Sequence, residues 1–263
     1  MTQKERREYL ITFLKNEKSR YSAIRIPEKE ETQREVLRIL FNLRDADPIG
    51  PEFLSVQDDY LKEAICEKGI VSCKDLPILF DGISLWKGDI TRLDADAIVN
   101  ASSGVLSVYH GDEVCVENSI LTYTGLQLRR EWVKLMEQSI SQRQTPVARL
   151  TKGWNLPAQY IIHTTGPFVY QGELCEQDEQ RLAECYRSCL DLAREHNLKS
   201  IAFPCIATGY FQFPRDEAAR IALDTVLDWK QATNYPIHVI FDVFTEDDEK
   251  IYQGLLSGQA FQA

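Results

Sequence analysis

No apolar run approaches the roughly 18 residues that a membrane-spanning helix needs, so the chain is not expected to cross a bilayer. Met1 through Tyr9 is charged and lacks the apolar stretch of a secretory signal, which points to a cytoplasmic protein. No Cys-x-x-Cys occurs. The seven cysteines, at 66, 73, 115, 175, 185, 189 and 205, are odd in number and have no small-domain disulfide spacing, so reduced thiols are expected. Positive charge is scarce as well, with 30 Lys and Arg against 40 Asp and Glu, a formal net charge of -10. Such a chain lacks the diffuse positive field that nucleic acid or an anionic membrane requires, and both are excluded as partners. A phosphate group, were one bound here, would fall to backbone amides and a helix terminus rather than to a lysine patch. Neither an internal repeat nor a low-complexity linker is visible.

What is present is ordinary for a folded protein: 44% hydrophobic and 27% charged residues, in 263 residues, allow one large domain and a small one. The first 80 residues or so read as helical. Tyr9, Leu10, Phe13 and Leu14 make one apolar face, and Val36, Leu37, Leu40, Phe41 and Leu43 another. Asp47-Pro48-Ile49-Gly50-Pro51 breaks the pattern, and a third helix is expected from Val56 to Glu67, stopping at Lys68-Gly69. From about Ile83 the texture changes. Short β-like runs at Ile83–Trp86, Ala95–Val99, Tyr160–Thr164, Ser200–Cys205 and Ile237–Phe244 alternate with helical stretches such as Gln180–Glu195. The alternation predicts a layered α/β domain with a largely parallel sheet. The division is therefore a helical extension over 1–80 and an α/β domain over 81–263.

Four loop-like segments stand at the ends of predicted strands, where open α/β sheets collect ligands. Gly88-Asp89-Ile90-Thr91 reads equally as a capped turn or as a carboxylate placed to accept from an exocyclic amine. The stretch from Asn100 to Glu117 is polar and non-periodic and contains Gly104, His110, Gly111, Asp112, Glu113 and Cys115; it is either a site-lining loop or an ordinary connection. Thr208-Gly209-Tyr210-Phe211-Gln212-Phe213-Pro214 joins a strand to a helix opening near Arg215. A strand, a small-residue loop and a helix start can together build an anion site from amides. It has no lysine and no Gly-x-x-x-x-Gly-Lys pattern, so it is no nucleotide-hydrolysing P-loop. Its three aromatics either wall a sugar or base or fold back into the core. Phe244, at the end of the last strand, either stacks on a purine, an interaction of about 1–3 kcal/mol, or caps the core.

The order of these segments resembles that of the macrodomain family. The resemblance is carried by Gly88-Asp89-Ile90-Thr91, Asp96-Ala97-Ile98-Val99-Asn100-Ala101, Gly153-Trp154-Asn155-Leu156-Pro157, Tyr160-Ile161-Ile162-His163-Thr164-Thr165-Gly166-Pro167 and Thr208–Pro214. Within that family the chain is similar to microbial zinc-dependent protein-ADP-ribosyl hydrolases. Those carry a helical extension resembling Pro48–Asp58 and Lys68–Val71. The resemblance implies a three-layer α/β/α domain with a mixed central sheet behind a small all-helical extension, and it implies ADP-ribose, free or attached to protein, as the partner. By position, Asp89 would contact the adenine amine with Ile90 beside it, and Phe244 would stack on the adenine. Thr208, Gly209, Tyr210 and Phe211 would wrap the diphosphate, Phe213 would flank the distal ribose, and Asn100 and Ser103 complete the binding set.

The chain departs from the family pattern in two places. Ser103 stands where the family has the second Asn of Asn-Ala-Ala-Asn. Of the subgroup's three zinc ligands, spaced Cys-x-x-x-x-His-x-Cys, only Cys115 is present; Glu113 takes the His place and Val108 the first Cys place. Three placed ligands ordinarily hold a catalytic zinc, which lowers the pKa of bound water from 15.7 to about 7. With one ligand left, the implied chemistry is a hydrolase with an altered or zinc-free site, using Glu117 or Glu113 as base or water-orienter. The alternative is a reader of ADP-ribose that has lost turnover together with its zinc ligands.

Overall fold

The computed structural model describes residues 1–102, 115–141 and 147–260. Its helices and strands, in chain order, are α1 (Gln3–Glu17), α2 (Glu30–Leu43), α3 (Pro51–Lys68), β1 (Val71–Ser72), β2 (Ile83–Lys87), β3 (Leu93–Asp94), β4 (Ala97–Ala101), α4 (Val116–Thr124), α5 (Gln127–Ser141), β5 (Ala148–Lys152), β6 (Tyr160–Thr164), α6 (Glu176–Glu195), β7 (Ser200–Phe203), α7 (Arg215–Thr233), β8 (His238–Val243) and α8 (Glu246–Ala260). Among them the chain forms two compact units. One comprises Met1–Gly69 with the described parts of Val105–Gln144 and Trp154–Leu156, and the other holds the remainder.

The first unit is helical, as the opening pattern predicts. Thr2 and Glu5 close a reciprocal capping box at the start of α1, satisfying two amides that have no partner inside the helix. Helix α3 starts at Pro51, five residues before the expected Val56, because proline pre-sets the first helical φ and its missing N–H is not needed there. It ends at Gly69, whose φ of 82° lies outside the range other residues adopt readily. Leu10, Ile11, Leu37, Leu40, Phe41, Phe53, Leu61 and Leu126 make the core. Arg7, only 2% exposed, is held by Gln33 at 2.9 Å and Glu30 at 3.2 Å. Asp58 acts as a clasp: its Oδ1 accepts from Gln57 (3.0 Å), Gln127 (2.7 Å) and Asn155 (2.8 Å), which ties three distant stretches of chain together.

The second unit is built on a six-stranded sheet in the order β2-β8-β7-β4-β6-β5, and every pair is parallel except β5 with β6. The expectation of an α/β fold with a mixed sheet is met. Side chains alternate across a strand, and the sheet divides accordingly. Ile83, Val99, Ile162, Ile201, Phe203, Val239, Phe241 and Val243 share one apolar cluster with α6, α7 and α8. The α6 stripe of Leu182, Cys185, Tyr186, Cys189, Leu190 and Ala193 is buried throughout, as its spacing predicts, and each large side chain in it contributes about 1.5–3 kcal/mol. Val71 and Ser72 of β1 pair separately with Leu93 and Asp94 of β3. The edge strand β5 and this small pair were not legible beforehand, being short and irregular in pattern.

Parallel pairing sets the C-terminal ends of β2, β8, β7 and β4 along one edge of the sheet, where the described loops after β2, β7 and β8 begin. On the return from β5 to β6, Gly153 donates to the Gln159 carbonyl at 2.8 Å, and a Cβ at that position would lie 1.8 Å from the Ala158 carbonyl oxygen. Gly153→Ala therefore forces backbone apart. Destabilisation of about 1–3 kcal/mol, read as a lower thermal midpoint, is expected.

Candidate functional site

The segment after β2 is fixed by its own chemistry. Gly88 donates to the Val243 carbonyl at 3.0 Å, which ties the end of β2 to the end of β8. A side chain at Gly88 would run into the Trp86 ring, 2.4 Å away. Asp89 Oδ1 accepts from the Thr91 amide (3.1 Å) and the Thr91 hydroxyl (2.6 Å), and Ile90 and Thr91 are buried beneath it. One carboxylate oxygen thus serves the turn, as the capping reading expects. The capping reading and the binding reading of Asp89 are compatible.

The loop from Pro204 to Pro214 carries the backbone geometry an anion needs. Thr208 donates from its amide (3.5 Å) and hydroxyl (3.1 Å) to the Cys205 carbonyl, Gln212 donates to Gly209 (3.0 Å), and Phe213 donates to Ala207 (3.0 Å). Ala207 and Gln212 take positive φ, 67° and 57°, a strained setting for residues with a Cβ. Between these anchors, the successive N–H groups of Gly209, Tyr210 and Phe211 make no backbone hydrogen bond among the described residues. Gly209 is exposed, and nothing stands within 4 Å of where its Cβ would be. A run of exposed amides with no protein acceptor among the described residues, just ahead of the α7 N-terminus, can hold an anion without any lysine.

The aromatics of this loop divide between the two roles left open for them. Phe213 is 2% exposed and belongs to the core cluster, so its ring packs inward. Tyr210 is 79% exposed, and its ring lies 6.4 Å from that of Phe168, which is edge-on to Phe211 at 5.9 Å. Phe168 was not singled out from the sequence. It enters because Val169 donates to the Phe211 carbonyl at 2.9 Å and brings the Gly166-Pro167-Phe168 turn against the loop. At the other end, Phe244 is 71% exposed just past β8, so its ring is available for stacking and does not cap the core.

Asn100, at the end of β4, is fully buried. Its amide nitrogen is 3.1 Å from His163 Nδ1, and His163 Nε2 is 2.8 Å from the Thr151 hydroxyl. Burial, with Arg149 nearby, drives the His163 pKa down to about 3, so the ring is neutral and Nδ1 accepts when Nε2–H donates to Thr151. Asn100 Oδ1 is left without a partner among the described residues. Ser102 is buried beside it, its amide donating to the Thr164 carbonyl at 2.8 Å.

Ser103 and Glu113 lie outside the described residues, as do His110, Asp112 and Val108. Cys115 is the N-cap of α4, its Sγ accepting from the Asn118 amide at 3.4 Å, and Glu117 sits in the first turn of that helix. Both belong to the helical unit. Arg129, whose guanidinium donates to the Asn42 carbonyl, feels the Glu117 charge; desolvation is the larger influence and lowers its pKa to about 10. Among the described residues no three His, Cys, Asp or Glu side chains are grouped to hold a metal. A thiol already engaged as a helix cap, with Val108 and Glu113 in the other two places, does not fit the three-ligand zinc set.

Loops at the carboxyl ends of parallel strands, an amide cradle, an exposed aromatic plate and a carboxylate define an α/β domain built to hold an anionic nucleotide-like ligand. A family model described as Macro domain matches residues 99–222. A protein-ADP-ribose hydrolase of Treponema medium is 44% identical over 262 residues, covering 98% of this chain and 100% of that protein. Two solved structures are similar, each with a TM-score of 0.63. The Oceanobacillus iheyensis macrodomain with ADP is 31% identical and covers 72% of this chain and 97% of its own. The Trypanosoma brucei macrodomain in complex with ADP-ribose is 26% identical and covers 88% and 97%. The chain belongs to the macrodomain family.

All seven thiols are unbridged; Cys66, Cys115 and Cys175 are exposed, while Cys73, Cys185 and Cys189 are buried. Burial also pushes the Cys185, Cys189 and Cys205 thiols up. Brief alkylation of the native protein, mapped by mass spectrometry, is expected to label positions 66, 115 and 175 first. Equal labelling of position 189 would contradict the packing of α6.

Proposed function

We propose that this macrodomain binds ADP-ribose along the C-terminal edge of its sheet and removes it from mono-ADP-ribosylated protein by a zinc-free route. The observation that carries the reading is the run of amides from Gly209 to Phe211 without acceptors, held between Ala207 and Gln212. A pyrophosphate supplies the acceptors those amides lack. Asp89 accepts from the adenine amine, Ile90 lies beside the base, and Phe244 stacks on it. Tyr210 and Phe211 wall the pyrophosphate, and Thr208 anchors its loop. Asn100, whose buried Oδ1 has no partner among the described residues, and Ser103 are assigned to the distal ribose. Phe213, buried in the core, supports the loop beside the distal ribose. The named activity of the Treponema relative, at this level of identity over the whole chain, supports hydrolysis.

The zinc site is degenerate in this reading, and Cys115 is kept as a helix cap. Glu117 is then assigned to orient or deprotonate the attacking water, with Glu113 as the second candidate for the role. The unbridged thiols support a cytoplasmic setting, and the formal net charge of -10 supports a partner other than nucleic acid or membrane; among the described residues no helix is long and apolar enough to cross one. The division into a helical extension over 1–80 and a macrodomain over 81–263 belongs to the same reading, supported by solved macrodomains that cover 72% of the chain.

Calorimetry with ADP-ribose is the first test. Asp89→Ala is expected to weaken binding at least tenfold, about 1.4 kcal/mol. No heat from the unaltered protein would overturn the assignment. Hydrolysis is tested by release of ADP-ribose from a mono-ADP-ribosylated protein without added metal. Glu117→Gln should slow it by roughly 10²–10⁴-fold, and the purified protein should carry well under one equivalent of zinc. Equal release by both forms would remove Glu117 from the mechanism. Binding without release in either would leave a reader of ADP-ribose, the outcome that the single surviving zinc ligand favours.

A further inference from the structure

Asp242 stands inside β8 between Phe241 and Val243, both of which point into the core cluster. Alternation puts Asp242 on the face of the sheet opposite Phe241 and Val243, one residue before β8 ends and two before Phe244. Its cross-strand neighbour in register is Trp86, two residues ahead of Gly88-Asp89. The residue is 6% exposed, and its Oδ1 is enclosed without a hydrogen-bond partner among the described residues. A buried polar group of this kind costs free energy and calls for an explanation. Packing does not supply one, since an apolar residue would fill the strand interior without the penalty.

We propose that Asp242 is a second determinant of base recognition, its buried carboxyl group hydrogen-bonding a ring nitrogen of the adenine that stacks on Phe244. The proposal rests on the ADP-ribose reading above. Adenine offers a donor at its amine and acceptors at the flanking ring nitrogens. An ionised Asp89 answers the donor, and a protonated Asp242 answers an acceptor, so the two carboxyl groups read complementary features of one edge. Burial raises the Asp242 pKa well above the usual carboxylate range, and the Asp89 charge raises it further. The other titratable group placed against it is the Cys205 thiol at the end of β7, itself pushed up and therefore neutral. Arg215, from the start of α7, is not free to neutralise Asp242; it pairs with Asp248 at 3.5 Å and donates to Thr245 at 3.1 Å.

The sign of the pH dependence follows. The donor is present below the Asp242 pKa and lost above it, so affinity for ADP-ribose should fall as pH rises, by up to about tenfold per unit beyond that point. Calorimetry from pH 6 to 9 with ADP-ribose and with its hypoxanthine analogue, on the unaltered protein, Asp242→Asn and Asp242→Leu, tests this. The amide of Asp242→Asn keeps a donor that does not titrate, so near-native affinity with a flattened pH profile is expected. Asp242→Leu, similar in volume, should lose about tenfold at pH 6 and narrow the preference for adenine over hypoxanthine, with its thermal midpoint unchanged or raised. If Asp242→Leu keeps both the affinity and the pH slope, Asp242 takes no part in recognition although the cleft reading stands. Absence of ADP-ribose binding by the unaltered protein overturns that reading and this assignment together.

Discussion

Parallel pairing of β2, β8, β7 and β4 is the constraint from which the rest of the site follows. Parallel strands share a direction, so their C-terminal ends, and the loops leaving them, are forced onto one edge. Residues 89, 100, 209 and 244 are far apart in the chain and owe their common edge to that register alone. The bond from the Gly88 amide to the Val243 carbonyl shows how tightly it is enforced, since the last ladder contact of β2 with β8 leads directly into the segment that presents Asp89.

The edge is electrostatically economical. A protein with a formal net charge of -10 offers no general attraction to a diphosphate, so a local arrangement of dipoles must supply it. In the proposed reading the amides after β7 supply it without a mobile cation, from a loop in which Ala207 and Gln212, two residues with a Cβ, take positive φ. The helical unit shows the same preference for fixed polar contacts, with Asp58 gathering three amide donors on one oxygen.

Much of the fold was legible because periodicity reports burial directly. The α6 stripe and the β6 strand Tyr160–Thr164 came out where the pattern put them, and the break at Asp47–Pro51 marked the entry to α3. Edge strand β5 and the β1–β3 pair escaped notice, since a short strand with a mixed pattern leaves little periodic signal. The adjoining residues Tyr210, Phe211 and Phe213 look alike as letters, yet Tyr210 is exposed and Phe213 is core, a difference set by the turn between Ala207 and Gln212. Phe168 had no signal at all; a backbone bond to Phe211 recruits it.

The sequence alone determined the class of protein: the order of its glycine, asparagine and aromatic motifs marks a macrodomain, its acidity points a phosphate towards backbone amides, and Val108 and Glu113 depart from the zinc pattern. Those are properties of residue type and spacing, which survive without coordinates. Tertiary structure decided which groups are left without partners. That Asn100 Oδ1 and Asp242 Oδ1 are enclosed without partners, and that three amides in a row have no protein acceptor, among the described residues, depends on what each strand and loop packs against. Hydrogen-bond satisfaction is a property of neighbours in space, and the chain's linear order does not contain it.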